Sequence, residues 1–264
     1  MINFFRKIRK KMADNNKPLK YMRYAIGEIV LVVIGILIAL QVNNWNEKRL
    51  NYMEEKRILK ALSEELKLRR FLFARGTEQQ ENSILSAKNL LMEMQSPIQE
   101  MNIDRLDKDI DRITSRWLSG TPTSIYDALI GSGELKLISS EELRNALAQL
   151  KSDQEFLSLF EELQVKFVDD KLSPFLNKYI NRSAIRLKGI GNSQLKDIPL
   201  MQNETDYNKI LRNNEFANLL VESIEHASRV IRNYKRLERV VNGVDSLANI
   251  GNSGIENLPA LNTK

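Results

Sequence analysis

The 264-residue chain is 42% hydrophobic and 28% charged, with 7% aromatic residues, eleven glycines, six prolines and no cysteine. That balance describes a globular chain, not a disordered one, and favours long helices over the turns and aromatic strands of a sandwich. The lack of cysteine excludes a disulfide scaffold, thiol catalysis and thiolate metal sites, but not an exported domain without disulfides.

The net charge of +6 is unevenly placed. Residues 1–24 carry Arg6, Lys7, Arg9, Lys10, Lys11, Lys17, Lys20 and Arg23 against Asp14, a local +7 that leaves −1 for residues 25–264. A short basic tail beside an apolar run suits an anionic membrane surface better than DNA, so no nucleic-acid partner is expected. MINFFRKIRKKM interleaves Ile2, Phe4, Phe5, Ile8 and Met12 with those cations. Two readings stand: an interfacial helix with Arg6, Lys7, Arg9, Lys10 and Lys11 on the inner leaflet, or a disordered positive-inside tail.

Ile29 to Leu40 is an unbroken apolar run. Extended to Tyr24–Asn44 it forms a segment of about 31 Å at ~1.5 Å per helical residue, enough to cross a bilayer. Tyr21 and Tyr24 before it and Trp45 after it stand where interfacial aromatics belong. The stretch Ile38-Ala39-Leu40-Gln41 is a poor cleavage site, so a retained span is expected ahead of a cleaved signal or a soluble core helix. The positive-inside rule then predicts a single-pass protein with its N-terminus cytoplasmic and the remainder across the membrane, which in a Gram-negative cell is the periplasm.

On a helix Tyr24, Glu28, Gly35, Ala39 and Val42 share one narrow face, and Gly35-x-x-x-Ala39 is a small-xxx-small pair. Either this face meets a second helix, in a homo-oligomer or with a membrane-protein partner, or Glu28 snorkels alone towards the headgroups.

After the span, Trp45, Tyr52, Leu59, Leu66 and Phe73 recur every seven residues. They predict a long helix that stops at Gly76, with Thr77-x-x-Gln80 capping a second helix to about Gln95. Ile103, Leu106, Ile110, Ile113 and Trp117 mark a third, broken at Gly120-Thr-Pro122. Ser124 to Ile130 reads as a short helix, Gly131-Ser-Gly133 as a turn, and Leu135, Leu137 and Ile138 as a core plug. Ser139-x-x-Glu142 caps a helix to about Leu172, and Pro174 opens a short segment to about Ile180. Residues 181–205 read as loop, and a last long helix runs from about Asn214 to Asn249. The resulting organisation is a basic tail (1–23), a transmembrane helix (24–44), an all-α periplasmic bundle of about five helices (45–249) and a flexible tail (250–264).

Chemistry-bearing patterns are few. His226, the only histidine, has Glu222 one turn before it but no Glu-x-x-His partner helix, so a surface ion pair is expected. Asp104, Asp107, Asp109 and Asp111 alternate with cations and lack the glycine and terminal Glu of a calcium loop, so they read as a solvated face. Asp169 and Asp170 read as surface, and Gly189-Ile-Gly191 lacks the strand and third glycine of a phosphate loop. Tyr126, Gly131 and Gly133 stand where the chain departs from helix, either as an internal turn or as a ligand or partner contact. No nucleophile, metal or phosphate constellation emerges, and no cofactor is expected.

FFRKIRKK…YMRYAIGEIVLVVIGILIALQVNNWNE, together with YDALIGSGELKLISSEELRNAL, resembles a family of uncharacterised proteins from flavobacteria and their relatives. The resemblance covers the first ~60 residues closely and residues 123–150 more loosely. It implies a Gram-negative inner membrane and supplies no mechanism. The expectation is a membrane-anchored, non-enzymatic interaction or scaffold module; the alternative is a periplasmic ligand-sensing bundle that signals through a partner protein.

Overall fold

The structure is a computed structural model, describing residues 18–95, 101–120, 124–189 and 205–256. The basic cluster Arg6, Lys7, Arg9, Lys10 and Lys11 lies outside the described residues. Among the described residues the fold is all-helical, with no strand. The elements are α1 (Pro18–Glu93), α2 (Ile103–Ile113), α3 (Ser124–Ser132), a 3-10 turn (Glu134–Leu137), α4 (Glu141–Phe167), a π-helical turn (Val168–Leu172), α5 (Ser173–Leu176), α6 (Arg182–Gly189), α7 (Tyr207–Leu211) and α8 (Asn214–Glu256).

Two of the expected breaks are absent. α1 runs unbroken through the apolar segment and through Gly76, so the predicted stop and the cap at Thr77 do not form. Glycine stands there for space: a Cβ at Gly76 would lie 2.5 Å from Cζ of Tyr234. The helix passes close to a buried ring, and only a residue without a side chain fits. Residues 181–205 are not wholly loop either, since α6 occupies Arg182–Gly189. α8 continues to Glu256, beyond the expected end at Asn249.

Other boundaries shift by a few residues. α2 ends at Ile113, ahead of Trp117, because Thr114 takes the C-cap and its Oγ1 donates to the carbonyl of Ile110 at 3.0 Å. α4 is capped by Ser140, not Ser139; its side chain accepts the N–H of Leu143 at 3.1 Å. Gly131 lies within α3, and the turn rests on Gly133 alone, at φ 72 in the left-handed region that glycine tolerates.

The chain divides into two units, Met1–Lys56 and Arg57–Lys264. The second is built on three long helices: the Arg57–Glu93 portion of α1, α4 and α8. One core cluster joins Leu59, Leu62, Leu66 and Phe73 of α1 to Leu143, Leu147, Leu150 and Leu157 of α4 and to Val230, Tyr234, Leu237 and Val241 of α8. Leu129 of α3 and Ile138 close it, with Leu135 and Leu137 packed alongside as the expected plug. A second cluster joins Ala87 and Leu90 of α1 to Leu106 and Ile110 of α2, Phe167 to Leu176, and Tyr207, Ile210, Phe216 and Leu220. Apolar spacing of three and four along each long helix produces these faces, and their burial is the main stabilising term.

Candidate functional site

Polar groups run through the bundle between its apolar layers. Arg69 of α1 is 2% exposed. Its guanidinium donates to Glu65 Oε1 through Nε at 3.1 Å and Nη2 at 2.6 Å, and through Nη1 to the Gln154 side chain of α4. The second Glu65 oxygen accepts the N–H of Ile125 at 3.0 Å, tying the start of α3 to α1. Further along, Gln80 and Gln164 exchange amide hydrogen bonds of 2.9 and 2.7 Å.

Glu161 of α4 forms the third knot. The Tyr234 hydroxyl donates to its Oε1, the Ser119 N–H donates to the same oxygen at 3.0 Å, and the Ser119 hydroxyl donates to Oε2 at 3.3 Å. Burial raises the Glu161 carboxyl above the ordinary glutamate range, and the Tyr234 and Ser119 donors partly offset that rise. Burial first, then the adjacent Glu161 charge, pushes the Tyr234 phenol up. Each group is consumed by its neighbours, and the arrangement fixes helix register.

The remaining sequence candidates are placed as follows. Glu222 pairs with Lys171 at 2.6 Å, and His226 stacks on Phe167 with ring centroids 4.9 Å apart, so the expected Glu222–His226 pair does not form. Burial is the largest influence on His226 and lowers its pKa. The acidic face of α2 is not wholly solvated: Asp107 is buried and accepts the Tyr207 hydroxyl, and buried Asp109 accepts from Asn89 at 3.3 Å. Asp169 and Asp170 are exposed, and Asp169 accepts from Arg116 Nε at 2.6 Å. Tyr126 is half-buried against the first core cluster, and Gly131 and Gly133 are exposed beside it.

On the apolar segment, the ten large side chains from Ile29 to Leu40 are 46–73% exposed. Gly35 has nothing within 4 Å of an added Cβ, Ala39 is exposed and Glu28 is half-exposed. Trp45 is 51% exposed, and Tyr24 lies in helix. This helix is long and apolar enough to cross a membrane, a property that a membrane anchor and a signal sequence share.

One surface escaped the sequence reading. Between α4 and α8 lies an open groove of 730 Å³ lined by Phe156, Phe160, Arg229, Arg232, Asn233, Lys235, Arg236 and Arg239. Arg229, Arg232, Arg236 and Arg239 follow one another at 3, 4 and 3 residues, which puts four guanidiniums on one face of α8. The signal was present in that spacing. The apolar positions of the last helix do not show it, because the arginines lie off their face.

The model of a family of unknown function (DUF6090) matches residues 28–191, more than half of the chain. The match begins at Glu28 on the apolar segment and takes in α2 to α6, including the α4 wall of the groove. No curated protein and no solved structure matches the chain.

Proposed function

The chain belongs to this family of unknown function, DUF6090, and we propose that it is a membrane-anchored helical interaction module without catalytic activity. One observation carries the anchoring: the large side chains from Ile29 to Leu40 are exposed. Each large apolar side chain left in water forgoes about 1.5–3 kcal/mol, so ten of them require a bilayer or an equivalent cover. A retained anchor accounts for this better than a cleaved signal, given the poor cleavage site and the passage of α1 from that segment into the Arg57–Glu93 portion that builds both cores. By charge asymmetry the N-terminus is cytoplasmic and the bundle is on the far side, the periplasm of a Gram-negative cell.

Absence of catalysis is supported by how the buried ionisable groups are used. Glu65 is engaged by Arg69, Glu161 by Tyr234 and Ser119, and Asp107 by Tyr207. Gly35 and Ala39 leave one side of the span open to close helix approach, as a homo-oligomer or a membrane-protein partner would require.

The test is membrane retention with topology. In cells expressing the full chain, alkaline carbonate extraction should leave it in the membrane pellet, with the N-terminal Met-Ile-Asn-Phe-Phe sequence intact by mass spectrometry. A periplasm-active reporter fused after Lys264 should be active and a cytoplasmic one silent. Recovery in the soluble fraction, or a cytoplasmic C-terminus, overturns the reading.

A further inference from the structure

The groove between α4 and α8 has two adjoining walls of different chemistry. On α4 the groove is lined by Phe156 and Phe160; Leu159 and Leu163 continue them as an exposed apolar stripe beside it, all four within about 100° of one another on the helix at 100° per residue. Phe156 is 50%, Leu159 48% and Leu163 42% exposed, and Phe160 is half-buried in an edge-to-face contact with Phe156. The α8 wall is the arginine row. Arg236 is paired with Asp153 at 2.7 Å and Arg229 with Glu225 at 3.4 Å, whereas Arg232 and Arg239 have no carboxylate partner among the described residues. No acid lines the groove, and its five cations stand in a part of the chain (residues 25–264) that carries −1 overall.

An exposed apolar stripe at i, i+3, i+4 and i+7 beside a basic groove in which Arg232 and Arg239 have no carboxylate complements one kind of ligand. We propose that this groove docks an acidic amphipathic helix of a partner protein. Its apolar side chains would seat on Phe156, Leu159, Phe160 and Leu163, and its carboxylates would face Arg232 and Arg239. In helix-in-groove recognition an amphipathic ligand helix lays its apolar face on such a surface, and the arginine fork suits bidentate carboxylate pairing. The groove spans Arg229 to Arg239, about 15 Å of helix axis at ~1.5 Å per residue, the length of three helical turns. A nucleic acid would use the arginines and stack on Phe156 and Phe160 but leave Leu159 and Leu163 of the adjoining stripe uncovered. A second copy is less complementary: the exposed apolar residues on the bundle part of α1, Leu68 and Phe71, are flanked by Lys67 and Arg75 as well as Glu64 and Glu78. This proposal rests on the reading of the chain as an interaction module and names the face and the partner chemistry.

The experiment uses the full chain in nanodiscs and a fluorescein-labelled peptide of about 18 residues with leucines at i, i+3, i+4 and i+7 and glutamates between them. Its control is a scrambled peptide of the same composition. Anisotropy should show the ordered peptide binding at least about tenfold more tightly than the scrambled one. R232E/R239E and L159S/L163S should each weaken it by about tenfold or more, because the first removes the charge complement and the second the anchors. K88E/K108E, the same charge change outside the groove, should leave affinity within about twofold. All these positions are exposed, and helical circular dichroism confirms that each variant is folded. Equal binding of both peptides marks a general anion surface and overturns the proposal, as does full affinity in either groove variant. Sedimentation showing a wild-type dimer that L159S/L163S converts to monomer, with no peptide binding, assigns the face to a second copy and overturns it too. Membrane retention is read separately, so its failure leaves the peptide result standing and sinks only the anchoring.

Discussion

Glu161 shows how much of this bundle is decided by single side chains. It is a carboxylate 3% exposed, held by Tyr234 and Ser119, and its folded pKa is raised by burial. A raised carboxyl pKa means that the folded state binds its proton more tightly than the unfolded chain does. The favourable contribution of Glu161 is therefore fully present below the ordinary glutamate pKa and is lost as pH rises through the raised folded value. E161Q keeps an uncharged polar side chain throughout, so its Tm relative to wild type should climb across that window and level off above it. A difference that stays flat or falls with pH would refute the assignment. Y234F removes a donor that lowers the carboxyl pKa, so it should steepen the wild-type decline and cost about 1–3 kcal/mol near neutral pH. None of this was legible in the sequence, because Ser119, Glu161 and Tyr234 come from three distant stretches with no motif. The same holds for Asp107, whose alternation with cations looks solvated until Tyr207 is folded against it.

Among elements, α1 carries the clearest lesson. Of its heptad-spaced residues Leu59, Leu66 and Phe73 are buried, whereas Tyr52 is half-buried and Trp45 exposed; on the face read for α2, Leu106, Ile110 and Ile113 are buried and Ile103 is exposed. Gly76 was misread, because glycine means a helix stop only when the backbone needs freedom and here it means space. That difference yields a paired test with Gly243, which lies within α8 with nothing within 4 Å of an added Cβ. G243A should raise stability by about 0.5–1 kcal/mol through helix propensity. G76A gains the same propensity but drives a methyl into the Tyr234 ring, and overpacking of about 1–3 kcal/mol should outweigh it. Thermal melts with G76A at or above wild type would show that the ring has room to yield. The α4 cap was legible to within one residue: Ser139 has Glu142 three places on, but the cap falls to Ser140, whose side chain accepts the N–H of Leu143, whereas the cap at Thr77 does not form. The arginine row on α8 was legible too, although periodicity of charge is easily dismissed as a solvated face until a second helix shows what lies beside it.

At the scale of the whole molecule, the apolar segment and the bundle have opposite solvent requirements. The side chains from Ile29 to Leu40 lie exposed, whereas both core clusters draw only on residues from Ile58 to Ala248. Every buried polar knot described, from Glu65–Arg69 to Tyr207–Asp107, also lies after Arg57. A chain beginning at Arg57 therefore keeps all of its core contacts and loses the run that water disfavours. Such a protein, spanning residues 57–264, should be recovered soluble without detergent, should show a helical circular dichroism spectrum and should melt in one cooperative transition. The full chain should stay soluble only in detergent or nanodiscs. The contrast follows from burial alone: at about 1.5–3 kcal/mol each, the ten exposed side chains together leave about 15–30 kcal/mol of transfer free energy unrealised in water, more than the 5–15 kcal/mol net stability of an ordinary domain. If the shortened chain aggregates or melts without cooperativity, the first turns after Arg57 need helical support from the residues before them, and the bundle is not an independent folding unit.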